Sequence, residues 1–222
     1  MRFAIYYAPE RDDPLWMAGC DWLGRDPESG EVQPPPSEAA GLVDDAARYG
    51  FHATLKAPFA LADSVLPDEL EAAMEGFAAR RRVETMPVLA VRRLDGFLAL
   101  RPERDGGALG ALADSCVRDF DRFRRPPTPA DLAKRRAAGL TPAQDAHLAR
   151  WGYPHVFDAF RFHMTLTKRL DDVAASALEV SLTRRFAAAL AVPRALRSLA
   201  LFVEPVPGAP FTLRRRFPFE SR

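Results

Sequence analysis

Two stretches of this chain, Tyr49-Gly50-Phe51-His52-Ala53-Thr54-Leu55-Lys56 and Phe160-Arg161-Phe162-His163-Met164-Thr165-Leu166-Thr167, repeat His-x-Thr-Leu 111 positions apart. A strand turns successive side chains to opposite faces, so residues i and i+2 point the same way. In the first stretch His52, Thr54 and Lys56 share a face with Gly50, opposite Phe51, Ala53 and Leu55. In the second, Arg161, His163, Thr165 and Thr167 oppose Phe160, Phe162, Met164 and Leu166. Each copy asks for one apolar face in a core and one face that presents an imidazole, hydroxyls and a cation. Two such strands meeting face to face make a symmetrical site for a phosphate.

The elements around the copies repeat as well. The first motif strand, about 48–56, is followed by an amphipathic helix over 67–82 with Leu70, Met74 and Phe77 at helical spacing. Strands at 86–93 and 97–101 then flank the tight turn Asp95-Gly96. The second motif strand, about 157–167, leads to a helix over 172–190 and strands at 196–203 and 211–217 around a turn at 207–210. Motif strand, helix, hairpin is therefore spelled twice. Residues 2–8 alternate as a further strand, 14–23 read as a helix capped by Asp13, and 107–124 as another helix. Between the halves, Thr128-Pro129-Ala130-Asp131 and Thr141-Pro142-Ala143-Gln144 are helix starts with Thr as N-cap and Pro at the first position, and Gly139 is a stop between them. The expectation is an α+β chain with two pseudo-symmetric lobes whose antiparallel sheets line a central cleft. It forms one domain over 1–222, with a lobe at about 45–124, a lobe at about 155–220 completed by strand 2–8, and a helical insertion at about 126–152.

Charge narrows the function classes. The net charge of +1 gives no global attraction to nucleic acid or a membrane surface, so any cationic site is local. The basic residues are 28 arginines and three lysines, Lys56, Lys134 and Lys168. Cys20 and Cys116 stand apart with no metal-type spacing, and the amino terminus reads as a strand and not a signal peptide. A cytoplasmic protein with no membrane segment is expected.

Two histidines on opposite sides of a phosphorus centre can divide an in-line displacement, one deprotonating water and the other protonating the departing oxygen. The hydroxyls of Thr54 and Thr165 can donate to non-bridging oxygens, and Lys56 or Arg161 can balance the developing charge. Thr167 shares that face, and Tyr6, turned away from Phe3 and Ile5, is a candidate to line the cleft. The scheme calls for no cofactor and no metal. Imidazole is a common metal ligand, but neither motif carries a carboxylate or Cys at ligand spacing. His147 and His155 read as surface or packing residues. The arginine runs at 80–82 and 214–216 read as solvated element ends.

The ordered pair of His-x-Thr-hydrophobic strands resembles the signature of the two-histidine (2H) phosphoesterase superfamily. With Arg2-Phe3-Ala4-Ile5-Tyr6-Tyr7 and Trp151-Gly152-Tyr153-Pro154, it is similar to the bacterial branch found in phosphonate-utilisation operons. Lys168 departs from that branch and points away from His163 by parity. The resemblance implies a phosphoric diester hydrolase that opens a small sugar or nucleotide cyclic phosphate without metal. It assigns His52 and His163 as the acid/base pair, with Thr54 and Thr165 as phosphate ligands. Two other readings stay open: an RNA-end 2',3'-cyclic phosphodiesterase or ligase-like enzyme, not favoured by the near-zero charge, and a non-catalytic sensor of phosphate ligands.

Overall fold

The computed structural model describes residues 1–104 and 107–220. In chain order the elements are β1 (Arg2–Tyr7), α1 (Pro14–Leu23), α2 (Asp44–Tyr49), β2 (Ala53–Phe59), α3 (Pro67–Ala78), β3 (Glu84–Thr85), β4 (Leu89–Leu94), β5 (Phe97–Pro102) and α4 (Gly107–Asp119). Then come α5 (Pro129–Arg136), α6 (Pro142–Trp151), β6 (Met164–Thr165), α7 (Asp172–Ala191), β7 (Ala195–Leu196), β8 (Ser198–Glu204) and β9 (Thr212–Pro218). The class is α+β. Strands of both halves join one seven-stranded antiparallel sheet in the order β4-β5-β6-β2-β1-β8-β9, with β3 and β7 as a separate pair. One continuous sheet stands where two facing sheets were expected. The two motif strands, β6 and β2, are neighbours at its centre. The β4–β5 hairpin of the first half flanks the motif strand of the second.

Alternation sorts the sheet's faces. Along β1, Phe3, Ile5 and Tyr7 enter the main core, while Ala4 and Tyr6 enter a smaller cluster with Trp16, Phe202 and Phe211. The helices supply the main core with Leu70, Met74 and Phe77 from α3, Leu109, Leu112 and Cys116 from α4, and Leu182 and Phe186 from α7. Burying each such side chain stabilises the fold by about 1.5–3 kcal/mol. Cys20 and Cys116 are both free and buried. Among the described residues no helix is long and apolar enough to cross a membrane.

The caps form where the sequence places them. Asp13 accepts the Leu15 amide at the start of α1, and Thr128 and Thr141 form capping boxes with Asp131 and Gln144. The motif strands are shorter than expected. Residues 44–49 are helical because Asp44 and Asp45 occupy the first turn, Arg48 the last, and Gly50 at φ 79 ends it. The second copy begins with a 3-10 turn at Phe157–Ala159, leaving only Met164–Thr165 as strand. Both histidines consequently sit one residue ahead of a strand and not inside one.

Candidate functional site

The register Ala53↔Met164 determines the site. Continuing that antiparallel pairing by one residue each way sets Thr54 opposite His163 and His52 opposite Thr165. All four side chains lie on the face that Ala53 and Met164 avoid, since those two are buried in the main core. The result is a square of two imidazoles and two hydroxyls at the centre of the sheet, with each histidine diagonal to the other.

Backbone carbonyls orient both rings in the same way. His52 Nδ1–H donates to the Gly50 carbonyl at 2.8 Å, and His163 Nδ1–H donates to the Arg161 carbonyl at 2.7 Å. A carbonyl only accepts, so each neutral ring carries its proton on Nδ1 and offers the Nε2 lone pair. The Thr54 hydroxyl donates to His52 Nε2 at 3.2 Å. Tyr6 stacks on the His52 ring, with centroids 3.7 Å apart and planes at 23°. No ring stacks on His163 among the described residues; the tilted ring of Phe97 lies 5.7 Å from it.

Both imidazoles are poor proton acceptors here. Burial pushes the His52 pKa down to about 4, with the Gly50 hydrogen bond opposing and His163 adding to the fall. His163 is lowered as well, first by burial, with the Arg161 carbonyl opposing and Arg101 adding to it. In this state both rings are neutral at pH 7.

Other expected site residues fall elsewhere. Lys56 was expected on the histidine face, but a register shift in β2 pairs Tyr6 with Thr54 and Ile5 with Lys56, skipping Leu55. That bulge turns Lys56 to the side of Ile5 and the helices. There its ammonium lies 3.2 Å from the Val117 carbonyl and 3.4 Å from Asp121. Burial lowers its pKa to about 8, against the pull of Asp121. Thr167 is also corrected: its buried hydroxyl accepts the Leu98 amide at 3.0 Å and donates to the Lys168 carbonyl at 2.8 Å, leaving no proton to offer a phosphate. Tyr6 supports His52 from within the smaller core and does not line an open cleft. Arg161 remains exposed, its Nη1 donating to the carbonyls of Asp158 and Phe160.

A cation missed in the sequence takes the place of Lys56. Pairings Ala99↔Thr165 and Leu100↔Met164 set Arg101 opposite His163 on the same face. Its Nε is buried without a hydrogen-bond partner among the described residues. An unpaired buried guanidinium donor is costly unless an anion meets it. Tyr49, Tyr153 and His155 also border this face: Tyr49 lies 6.3 Å from the His52 ring, Tyr153 packs edge-on to His155 at 5.5 Å, and His155 is close enough to act on His163. His155, read from sequence as a surface or packing residue, is therefore a neighbour of the site. Among the described residues no group of three or more His, Cys, Asp or Glu side chains converges as a metal-binding set.

Residues 54–212 match a family described as "Protein of unknown function (DUF1045)", a span that opens two residues after His52. The chain is similar to "Ribose 1,5-bisphosphate phosphokinase PhnN" of Janthinobacterium sp. (strain Marseille), 42% identical over 232 residues covering 100% of this chain and 51% of the relative. The protein of the same name from Laribacter hongkongensis (strain HLHK9) is 40% identical over 221 residues, covering 97% of this chain and 51% of its own. The chain thus spans about half the length of the curated relatives it matches. A crystal structure of E. coli LigT complexed with NADP+ aligns with 98% of this chain and 96% of its own at 16% identity and a TM-score of 0.38, too low a likeness to carry fold or function across.

Proposed function

The chain belongs to the DUF1045 family, and on that premise we propose that it is a cyclic phosphodiesterase of the two-histidine type, hydrolysing a small sugar or nucleotide cyclic phosphate. The observation that carries this reading is the square of His52, Thr54, His163 and Thr165, with both rings held by Nδ1–H on a backbone carbonyl. Two Nε2 atoms converging from adjacent strands suit a displacement that needs a proton removed on one side of phosphorus and delivered on the other.

His52 is the base and His163 the acid. Burial keeps His52 Nε2 free of a proton, and rotation of the Thr54 hydroxyl onto a phosphate oxygen releases that nitrogen to the attacking water. The water oxygen bonds to phosphorus as its proton passes to His52. With the anionic phosphate bound beside it, His163 takes up a solvent proton on Nε2, and the ester bond on the far side breaks as that proton passes to the departing oxygen. Thr54 and Thr165 hold the non-bridging oxygens while Arg101 balances their charge. Exchange with solvent restores both rings. No metal or cofactor enters these steps.

The resemblance to the phosphonate-operon branch supports a small sugar phosphate as substrate and a role in phosphonate catabolism. The ribose bisphosphate in the relatives' printed name points the same way. Their kinase activity belongs to chains about twice this length and is the second reading. A phosphorus NMR screen over five- and six-membered cyclic phosphates tests the first. Ring opening that disappears in His52→Ala and in His163→Ala supports it, whereas saturable binding with no product across the panel makes the chain a sensor.

A further inference from the structure

Beside the histidine face, a cleft of about 600 Å³ opens between the end of β2 and the helical insertion. That volume suits a small ligand. Its wall carries the cations Arg2, Arg124, Arg125, Lys134 and Arg135 together with Tyr49. Two of these cations are already matched. Arg2 Nη2 donates to Glu204 at 2.9 Å, and Arg124 Nε donates to Asp121 at 2.8 Å. Arg125, Lys134 and Arg135 form no ion pair among the described residues. The acid in the wall, Asp131, is committed to the cap of α5, accepting the Thr128 amide at 3.0 Å and hydroxyl at 2.7 Å. Asp131 nevertheless stays charged and feels both Arg125 and Arg135, so Arg125, Lys134 and Arg135 share one wall carboxylate and leave an excess of positive charge around the pocket, in a chain whose net charge is only +1.

The cleft wall contains neither histidine, and Tyr49 connects the two regions. It lines the cleft and lies 6.3 Å from the His52 ring. On the insertion side, the Arg135 guanidinium sits 5.1 Å over the Tyr153 ring, which packs against His155 next to His163. A molecule bound at the histidines can extend past Tyr49 into the cationic pocket.

We propose that this cleft binds a second phosphate carried by the same substrate, so that the cyclic phosphodiester acted upon is a sugar that also bears a terminal phosphate. A phosphomonoester is the group that two guanidiniums and an ammonium suit, being dianionic and rich in acceptors. The cations form one pocket at the end of β2 and not a stripe along the surface, which favours a small molecule over a nucleic-acid backbone. The inference rests on the phosphodiesterase reading for the other end of the molecule.

The test compares kcat/KM on adenosine 2',3'-cyclic phosphate with and without a 5'-phosphate, for the unsubstituted chain and the variant Arg125→Gln/Lys134→Gln. Both substituted residues are exposed, so folding is not at stake. The expected preference for the 5'-phosphorylated substrate is roughly ten- to hundredfold, falling by about tenfold in the variant. Arg11→Gln, an exposed cation outside the cleft, is expected to keep the preference. Equal kcat/KM on the two substrates overturns the subsite and leaves the phosphodiesterase standing. Preference for an oligoribonucleotide with a 2',3'-cyclic end over the phosphorylated mononucleotide overturns the small-molecule assignment. If neither nucleotide is hydrolysed, titration with ribose 5-phosphate decides independently: affinity at least tenfold weaker in the double variant than in Arg11→Gln supports the subsite, and equal affinity overturns it.

Discussion

His52 and His163 share a motif, a tautomer and a place in the sheet, yet their surroundings differ. His52 is wedged against Tyr6, with Tyr49 and Phe202 around it, and its Nε2 already meets Thr54. His163 has Phe97 at its edge and charged or titrating neighbours in Arg101, Asp95 and His155. Burial lowers the pKa of both rings, but only His163 also has Arg101, Asp95 and His155 acting on it, and on the proposed reading it is the ring that takes up a proton once an anion arrives. Matched spelling sets where the two nitrogens point. Unmatched second neighbours give the two rings different surroundings, and on the proposed reading that difference divides base from acid.

The strongest way to break this comparison is to remove each ring in turn. His52→Ala and His163→Ala are each expected to lower kcat/KM by about 10²–10⁴-fold. Their residual pH profiles are expected to differ. For the free protein, kcat/KM should peak below pH 6.5. It should fall as acid protonates His52 near pH 4, and fall again as His163 loses its proton at a pKa below its ordinary value. His52→Ala should erase the acid limb and His163→Ala the alkaline one. Loss of the same limb in both variants would end the division into base and acid.

Next in size is Arg101→Met, expected to cost roughly ten- to hundredfold in kcat/KM while circular dichroism is unchanged, because it removes a charge-assisted contact to the phosphate. Full turnover in that variant would hand the cation's role to another residue. Gly50→Ala and Arg161→Ala then compare the two carbonyls that hold the rings. Gly50 has φ 79 and ψ 176, and an added Cβ would meet Pro27 at 2.6 Å, so its variant should lose about 1–3 kcal/mol in urea unfolding. Arg161 is exposed with no such backbone demand, and its variant should stay within about 0.5 kcal/mol. Equal losses at the two positions would show the copies to be held alike. The smallest effect is expected of Lys56→Met. It exchanges a buried cation for an apolar side chain while Asp121 keeps Arg124 and Arg150, so kcat/KM should change less than about twofold. A loss as deep as that of Arg101→Met would return Lys56 to the site.

Local signals were read well from sequence because local physics decides them. Asp13, Thr128 and Thr141 cap helices through their own neighbours, and the hairpin turn at Asp95-Gly96 needs only its positive φ angles. Parity placed His52 with Thr54 and His163 with Thr165 for the same reason. It failed for Lys56 because the bulge is imposed by β1, a strand some 50 positions away in sequence. Arg101 escaped notice because nothing in Phe97–Pro102 announces that β5 pairs with β6. The union of two sheets into one was hidden for a similar cause: a two-residue strand has too little pattern to declare its partners.

That two-residue strand also governs when the site comes into being. Met164 pairs with Ala53 and with Leu100, partners 111 and 64 positions earlier in the chain. Each doubling of a loop adds only about 0.6 kcal/mol to its closure, but contacts this distant in sequence form late in folding. The helices and both hairpins can assemble from near neighbours while His52 and His163 remain strangers. On the proposed reading, activity is then expected only once β6 has paired with both β2 and β5, because neither half holds both histidines.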